Sequence, residues 1–304
     1  MSEFNDIFTS TTKEPGQQKG QEASVENSFN KEEWAAKKKE ERETVYTMTD
    51  NAAVKVAADP AKFQQYLDTQ SRFDRYTATN ALLIMEQKPE ATQIGALDYW
   101  KKNKIYIKKG EMQNPIFILE PGNEYKREDG SVGISYNVKR LYDVSQSEGN
   151  PPKQNKSYND KLVIKALKEA SPVNVVVVEF LPDDRGALYD HNSQKIQVRL
   201  SGMSAGDIFR AFSQEVAMAE MCSSGNPPPN ASFKAYAASY ALCKKYGIDV
   251  SSYKFDQSGT VLGGIEPHEV RGELSDIRNV VADINGRMYK TLEQSRNNKE
   301  QEAR

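Results

Sequence analysis

One stretch near the C-terminus restricts the fold more than any other feature of this sequence. Between residues 267 and 294, large apolar side chains recur at alternating spacings of three and four: Leu274, Ile277, Val281, Ile284 and Met288. This spacing places them on one face of a long helix. Because such a helix gains most of its stability from burying its apolar stripe, we expect it to dock on the domain that precedes it.

Composition and charge exclude several classes of protein. The chain has 304 residues, enough for one large or two modest domains. Its 41 basic and 43 acidic residues nearly balance, so only local patches can indicate a partner. The longest apolar run, at 173–178, is too short to span a membrane, and no secretory signal is visible. Cys222 and Cys243 make no disulfide framework, so we expect a cytoplasmic protein that does not enter membranes.

The first half of the chain predicts a polar tail followed by a small domain of helices and strands. Residues 1–30 carry too few apolar side chains to fold and are expected to be disordered, and residues 31–42 predict a solvated helix. Apolar spacing and turn residues then predict the following elements: a helix containing Phe63, Tyr66, Leu67 and Phe73, helices over 78–87 and 94–102, and strands over 105–107, 115–119 and 135–143. Residues 149–155 have the composition of a linker.

The second half predicts a further mixed domain. Apolar periodicity and breakers predict these elements: a helix that Pro172 ends, a buried strand over 175–180, a hairpin of strands 186–189 and 195–200, and helices over 205–222 and 233–246. The C-terminal tail 296–304 is polar and is expected to fray.

Lysines and aromatic residues alternate in one short segment. Residues 99–110 contain five lysines and three aromatic residues, and residues 71–76 add two arginines and two rings. Single-stranded nucleic acids are bound by this combination, with cations along the phosphates and flat rings on which bases stack. Two other interpretations stay open, since lysines beside strands often form a solvated edge and Trp100 could belong to the core.

The same region resembles a known family. The matching features run in order through residues 76–151: Asn80-Ala81-Leu82-Leu83 opening a helix, a Gln-Lys-Pro-Glu-Ala-Thr turn at 87–92, Trp100 before a basic strand, a Lys-Lys-Gly-Glu turn at 108–111, and Asp143-Val144-Ser145-Gln146. They are similar to the N-terminal domain of ArdC/LtrC-type antirestriction proteins of mobile elements. One position departs, because Asn103-Lys104 stands where the family often carries a glycine.

The resemblance implies that this domain binds single-stranded DNA. Combined with the basic and aromatic segment, it gives one set of expected DNA contacts: Arg72, Arg75, Tyr76, Asn80, Trp100, Lys101, Lys102, Lys104, Tyr106, Lys108 and Lys109. We expect Tyr106 or Tyr76 to be the ring that stacks on a base, with Trp100 partly buried.

The family also carries a second domain that resembles zincin metallopeptidases, and here that domain lacks its metal ligands. A zincin helix needs two histidines at i and i+4 with a glutamate after the first. Glu215 stands at the glutamate position, but Gln214 and Met218 occupy the histidine positions. The third ligand position holds Tyr236 or Lys234. These four residues, Gln214, Glu215, Met218 and Tyr236, would form a vestigial peptidase site.

The inventory of metal-binding side chains supports this prediction independently. Zinc sites use mainly histidine, cysteine and carboxylate ligands. The chain has two histidines and two cysteines, and no two of the four stand at ligand spacing. His268-Glu269 begins a metal motif that Gly272 interrupts. We expect no metal, no cofactor and no enzymatic activity.

Together these features predict a two-domain α+β protein. We expect a polar tail at 1–44, a small single-stranded DNA-binding domain of helices and an antiparallel sheet at 45–152, a degenerate zincin-like domain at 153–262, and a C-terminal helix with its tail at 263–304. The expected function is protection or handling of single-stranded DNA entering a cell. The alternative is a protein-interaction module, in which the altered second domain binds and inhibits a host or element-encoded protein. A metal-dependent peptidase is disfavoured by the missing ligands.

Overall fold

The structure, a computed structural model, describes residues 31–148, 158–223 and 225–302. The chain divides into two units. In the first, Met1–Lys38, the described residues 31–38 are the beginning of a helix. The second, Lys39–Arg304, contains the other described elements. The predicted disordered segment 1–30 and the predicted linker 149–155 lie outside the described residues.

The described part of the first half of the chain contains four α-helices: α1 (Lys31–Ala58), α2 (Pro60–Arg72), α3 (Ala78–Gln87) and α4 (Leu97–Lys102). Helix α1 continues well beyond the predicted end at residue 42. Helix α2 begins with Pro60 at its first position, and the Asp59 side chain accepts a hydrogen bond from the Ala61 N–H. Helix α3 has the predicted bounds, and the Thr77 side chain caps its N-terminus.

A three-stranded antiparallel sheet packs beside these helices. It is formed by β1 (Ile94–Gly95), β3 (Ile116–Lys126) and β4 (Val132–Asp143) in the order β1-β4-β3, and β2 (Tyr106–Ile107) pairs separately with β5 (Ser147–Glu148). The helix predicted over 94–102 was wrong at its start. Ile94 and Gly95 pair with the end of β4, so the helix begins only at Leu97.

A buried carboxylate holds the end of β4. Asp143 accepts hydrogen bonds from the backbone N–H groups of Thr92, Gln93 and Ser145 at 2.8, 3.0 and 2.9 Å. Burial alone would raise the pKa of Asp143. The hydrogen bonds from Ser145, Gln93 and Thr92 outweigh it and hold the pKa below its ordinary value. The Gln146 side chain accepts from the Asp143 N–H and completes a capping box. The Asp-Val-Ser-Gln segment is therefore a structural clamp between β4 and the residues before β1.

The remaining elements belong to the second half of the chain. They are α5 (Asp160–Ala170), β6 (Asn174–Val178), β7 (Ala187–Asp190), β8 (Lys195–Arg199), α6 (Ala205–Met221), α7 (Ala231–Tyr246), α8 (Ser258–Leu262) and α9 (Pro267–Glu302). Their sheet has the order β6-β8-β7, with β6 parallel and β7 antiparallel to β8. The predicted hairpin is confirmed, and the whole is an α+β fold.

The strand predicted as buried over 175–180 is instead an edge strand. Strand β6 ends at Val178 and, among the strands that the structure describes, pairs only with β8. Val177 is 66% exposed and Phe180 is 84% exposed. A run of valines satisfies both the pattern of a buried strand and that of an edge, so apolar composition alone could not separate them.

Helix α9 docks through its apolar stripe as predicted. The five stripe residues are at most 2% exposed, and the helix packs against α3, α5, α6 and α7. One apolar core draws residues from both halves of the chain, including Phe63 of α2 and Phe209 of α6. The predicted domain boundary at 152–153 stays a prediction. No helix in the described part of the chain is long and apolar enough to cross a membrane.

We predict that replacing Asp143 by asparagine destabilises the protein by roughly 2–3 kcal/mol at pH 7, because an amide cannot accept all of the hydrogen bonds that the carboxylate accepts. The lowered pKa has a further consequence. The stabilisation is present above the ordinary pKa of 3.8 and is lost as the pH falls through the folded-state value. Urea unfolding checks both expectations, with the exposed Asp98→Asn variant as control. Equal stability of Asp143→Asn and the unmodified protein would contradict the clamp.

Candidate nucleic-acid interface and the altered peptidase cleft

Three tyrosines from separate elements line one open cleft of about 630 Å³, which we name the tyrosine cleft. Tyr46 comes from α1, Tyr76 from the turn before α3, and Tyr136 from β4. Tyr46 is 42% exposed and Tyr136 is 38% exposed, so both rings are accessible from solvent. Flat rings of this kind are the surfaces on which unpaired bases stack.

Three cations line the same cleft: Arg75, Lys139 and Arg271. Lys139 forms an ion pair with Glu120, and Arg271 forms one with Asp50. Both acids also line the cleft. Arg75 is exposed and has no ion-pair partner within residues 31–148, 158–223 and 225–302. Its guanidinium is the cleft cation with the most freedom to contact a phosphate.

Asn80 supports the cleft from behind. Its amide nitrogen donates to the Leu119 carbonyl at 2.9 Å, and its amide oxygen accepts from the Leu119 N–H at 2.8 Å. This pair of bonds fixes the start of α3 against β3. Asn80 was expected to contact DNA, and its side chain is instead used on the backbone of β3, so we leave it out of the proposed contacts.

The turn that carries Arg75 and Tyr76 is held by its backbone. Gln70 donates to the carbonyls of Phe73 and Tyr76 at 3.1 and 3.3 Å. Arg278 on α9 donates to the carbonyls of Tyr76 and Arg75 at 3.1 and 3.3 Å. These contacts leave the Arg75 side chain free while they fix its Cα.

Tyr76 is half-buried in the cleft wall, and its ring meets the Phe73 ring edge to face at 6.0 Å. Burial and the nearby Glu120 carboxylate raise the pKa of Tyr76. The phenol therefore stays neutral at ordinary pH and carries no negative charge that would repel a phosphate.

The predicted lysines form a different surface. Lys101, Lys102, Lys104, Lys108 and Lys109 are all exposed, and together with Tyr106 we name them the lysine surface. Tyr106 is 62% exposed. None of these lysines forms an ion pair with another described residue, and Lys108 donates to the Ser145 carbonyl at 3.2 Å. Lys104 lies in the left-handed region with a φ of 58°, a conformation that glycine adopts more easily than other residues.

The lysine surface is separate from the tyrosine cleft, because none of its residues lines that cleft. Leu141 of β4 lines the cleft, whereas the next residue, Tyr142, packs with Trp100 and Ile105 of the segment that carries the lysines. Of the predicted contacts, the structure brings Arg75, Tyr76 and Asn80 to the cleft and the five lysines and Tyr106 to the lysine surface.

Two predicted contacts lie elsewhere. Trp100 was expected to be partly buried, but its ring is 0% exposed and its indole N–H donates to the Tyr142 carbonyl at 3.0 Å. This position corrects the prediction, since a core ring offers no face to a base. The Arg72 guanidinium donates to the Pro89 carbonyl, which ties α2 to the turn after α3.

Sequence reasoning missed Tyr46, Tyr136, Lys139 and Arg271. They are far apart in the chain, and Asp50 and Arg271, which form an ion pair, are 221 positions apart. One signal was available on α9. Arg271 and Arg278 are seven residues apart, so they share a face of the helix.

The expected vestigial peptidase site is only partly assembled. Gln214 on α6 and Tyr236 on α7 line one cleft of about 430 Å³, which we name the α6 cleft. The Tyr236 hydroxyl accepts a hydrogen bond from the Lys254 N–H at 3.0 Å. Met218 packs against the apolar core instead.

The Glu215 side chain is hydrogen-bonded to the neighbouring strand. Its carboxylate accepts a hydrogen bond from the Tyr189 N–H of β7 at 2.9 Å. Burial raises the pKa of Glu215, while the Tyr189 N–H and the Arg185 charge act in the opposite direction. The side chain joins α6 to the edge of the sheet.

Lys234 of α7 lies in the contact between α7 and α9. Its ammonium is buried and pairs with Glu273 at 3.0 Å and with Asp276 at 2.7 Å. Burial alone would lower the pKa of Lys234, but the two carboxylates outweigh it and raise the pKa above its ordinary value. The amine therefore stays protonated and has no lone pair for a metal ion.

The donor atoms of the α6 cleft do not fit a catalytic metal. Gln214 offers a neutral amide and Tyr236 a phenol, and the two carboxylates in the lining, Asp184 and Asp207, are paired with Arg199 and Arg210. Catalytic zinc takes three imidazole, thiolate or carboxylate ligands. Nowhere among the described residues do three or more His, Cys, Asp or Glu side chains group to hold a metal ion. His191 and His268 are exposed and separate, and Cys222 and Cys243 are buried.

Comparison with known proteins gives a similar fold. No protein-family model and no curated protein matches the chain. The Mn(II)-bound crystal structure of the antirestriction ArdC protein from plasmid R388 is similar, with a TM-score of 0.53 and 14% identity, over 81% of this chain and 97% of that chain. The metal-free structure of that protein gives a TM-score of 0.46 and 15% identity, over 73% and 86%. At such identity, the likeness to the Mn(II)-bound structure shows a shared fold.

We predict that Glu215→Gln stabilises the protein at pH 7, because the substitution removes a carboxylate whose charged form is disfavoured by burial. The amide keeps an oxygen for the Tyr189 N–H and removes the cost of a buried charge. With a raised folded-state pKa, the unmodified protein loses stability as the pH rises from the ordinary value of 4.5 through the folded-state value. The advantage of Glu215→Gln should therefore vanish below that window.

Thermal unfolding of both proteins between pH 4 and pH 8 tests this prediction, because the window lies above 4.5. The exposed Glu266→Gln change is the control. A Glu215→Gln variant that is less stable than the unmodified protein at every pH would show that the carboxylate is needed in its ionised form.

Proposed function

We propose that this chain binds single-stranded DNA and acts in an antirestriction-like role, in which incoming single-stranded DNA is protected or handled. The observation that carries the proposal is the tyrosine cleft, where three rings and three cations face one open space. This combination suits an unpaired strand, whose bases stack on rings while its phosphates meet cations.

The cleft favours a single strand over a duplex. Paired bases are stacked on one another inside a duplex, so their faces cannot stack on the rings that line a cleft. Two of the three cations are already paired with acids, so net charge contributes less than base stacking. The shared fold with the antirestriction ArdC protein supports the role.

The lysine surface is proposed as a second, electrostatic contact. Lysines without ion pairs bind phosphates without reading sequence, and their contribution falls as salt concentration rises. Since the lysine surface and the tyrosine cleft share no residue, the two contacts should be separable by substitution.

The α6 cleft is proposed to have no peptidase chemistry. The Lys234 ammonium pairs with Asp276 of α9, the Glu215 carboxylate accepts a hydrogen bond from β7, and Met218 packs against the apolar core. The second half of the chain would then act as a scaffold that completes the tyrosine cleft through Arg271 and Ser275 of α9.

We predict that Tyr136→Ala weakens binding of a single-stranded oligonucleotide by roughly 1–3 kcal/mol, the value of one stacked base, whereas Tyr136→Phe keeps the ring and the affinity. Replacing Lys101 and Lys102 by glutamate should weaken binding to all sequences and flatten its salt dependence. Fluorescence anisotropy at several salt concentrations, with single- and double-stranded oligonucleotides, measures both effects.

Matched controls separate these effects from general changes. Tyr125→Ala removes an exposed ring outside the cleft lining. Replacing Lys161 and Lys168 of α5 by glutamate changes the same amount of charge elsewhere. Affinity that is unchanged in both the Tyr136→Ala and the Lys101/Lys102 variants would refute the proposed contacts. Absence of binding by the unmodified protein would leave the protein-interaction alternative.

We predict that purified protein contains no stoichiometric zinc or manganese and that chelator leaves its melting temperature unchanged, because the two carboxylates of the α6 cleft are paired with arginines and its amide and phenol are weak donors. Elemental analysis and melts with and without chelator provide the measurement. One metal ion per chain, or a melting temperature that drops with chelator, would show that a metal site exists despite the side chains of α6 and α7.

A further inference from the structure

A second cleft adjoins the tyrosine cleft and shares one residue with it. It has a volume of about 460 Å³ and lies between the end of α7 and the middle of α9, and we name it the α7–α9 cleft. Arg75 lines both clefts. Arg278 lines the second and donates to the backbone carbonyls of Arg75 and Tyr76 in the wall of the first. The two spaces therefore meet at a single arginine.

The lining of the second cleft repeats the chemistry of the first. It again holds three tyrosines and three cations: Tyr158, Tyr246, Tyr289, Arg75, Lys245 and Arg278. Among the described residues that line it, the one acid is Asp74, which is paired with Lys245 at 2.9 Å and also accepts from the Asn285 amide at 2.8 Å. The Arg278 guanidinium already donates to the Tyr76 and Arg75 carbonyls and to the Asn279 side chain. The Arg75 guanidinium has no carboxylate partner in the described chain, so it is the cleft cation that remains for a phosphate.

The tyrosines of the α7–α9 cleft differ in their contacts and in their exposure to solvent. The Tyr246 hydroxyl donates to the Asn285 side chain at 2.6 Å, and the Tyr246 ring meets the Tyr158 ring edge to face at 6.2 Å. These two rings are fixed as a wall. Tyr289 is 44% exposed, and its ring is the one presented to solvent.

A glycine keeps this cleft open. Gly286 stands inside α9, where glycine costs about 1 kcal/mol relative to alanine. A Cβ atom built on Gly286 meets nothing within 4 Å, so packing against a neighbouring element does not require glycine there. Gly286 and Ala282 both line the cleft, four residues apart on one face of α9. Larger side chains at these positions would fill the space beside Tyr289.

We propose that the α7–α9 cleft is a second subsite for the same single-stranded DNA, and that the strand passes from the tyrosine cleft over Arg75 to stack a base on Tyr289. This inference rests on the proposed function and extends it, because it assigns DNA contacts to helices α7 and α9. It makes Arg75 the point at which one phosphate is held between two base-binding spaces.

Oligothymidines of increasing length, from about 4 to 16 nucleotides, test the proposal, since this range covers the usual site sizes of single-strand-binding folds. Affinity for the unmodified protein should rise with length until both clefts are occupied. Tyr289→Ala and Gly286→Leu should each lower the affinity of long oligonucleotides by about tenfold and leave that of the shortest ones unchanged. Tyr136→Ala should lower affinity at every length.

Gly286→Leu keeps the test independent of unfolding. Leucine is a better helix former than glycine and meets open space at this position. The melting temperature of the Gly286→Leu variant should therefore equal or exceed that of the unmodified protein. Gly286→Ala, which adds only one methyl group, is the matched control and should bind like the unmodified protein. Long-oligonucleotide affinity that is unchanged in both Gly286→Leu and Tyr289→Ala would overturn the second subsite alone. Failure of the unmodified protein to bind any length would overturn the proposed function and this inference with it.

Discussion

The docking of α9 is the interaction on which the other features of this structure depend. Its apolar stripe is buried against helices from both halves of the chain, which supplies most of the free energy that a helix of this kind gains on folding. Its polar flanks then place individual groups. Arg271 pairs with Asp50 of α1, Arg278 holds the turn of Arg75, and Asp276 pairs with the buried Lys234. Without α9, the tyrosine cleft would lose one wall and the turn before α3 its support.

The same docking gives partners to residues of the predicted vestigial peptidase site. A buried lysine without a partner would be strongly unfavourable. Here Glu273 and Asp276 of α9 pair with the Lys234 ammonium. Glu215, which the resemblance places at a catalytic position, holds the edge of β7 through the Tyr189 N–H. In this structure both residues make contacts that stabilise the fold.

Much of the local structure could be predicted from the sequence, and the reasons lie within short segments. Helix α3 has a threonine cap and a proline shortly after its end, and the α9 stripe has a clear period, so both were predicted correctly. The motif residues of the resemblance prove mostly structural, since Asn80, Trp100 and Asp143 each bond to backbone groups of another segment. The edge position of β6 depends on which strand lies beside it. The tyrosine cleft depends on side chains from four distant segments, and no local pattern records their proximity.

The ion pair between Asp50 and Arg271, which are 221 positions apart, also constrains the order in which parts of the chain can fold. A ribosome makes α9 after every other described helix and strand, so the apolar faces that receive it stay uncovered until α9 has left the ribosome. The earlier helices can form while the chain is growing, but both clefts lack their α9 wall until then. Contacts so distant in sequence slow folding and leave apolar surface exposed meanwhile. The growing chain therefore has neither a complete tyrosine cleft nor a complete α7–α9 cleft, and assembly of both is a late, joint step in its folding.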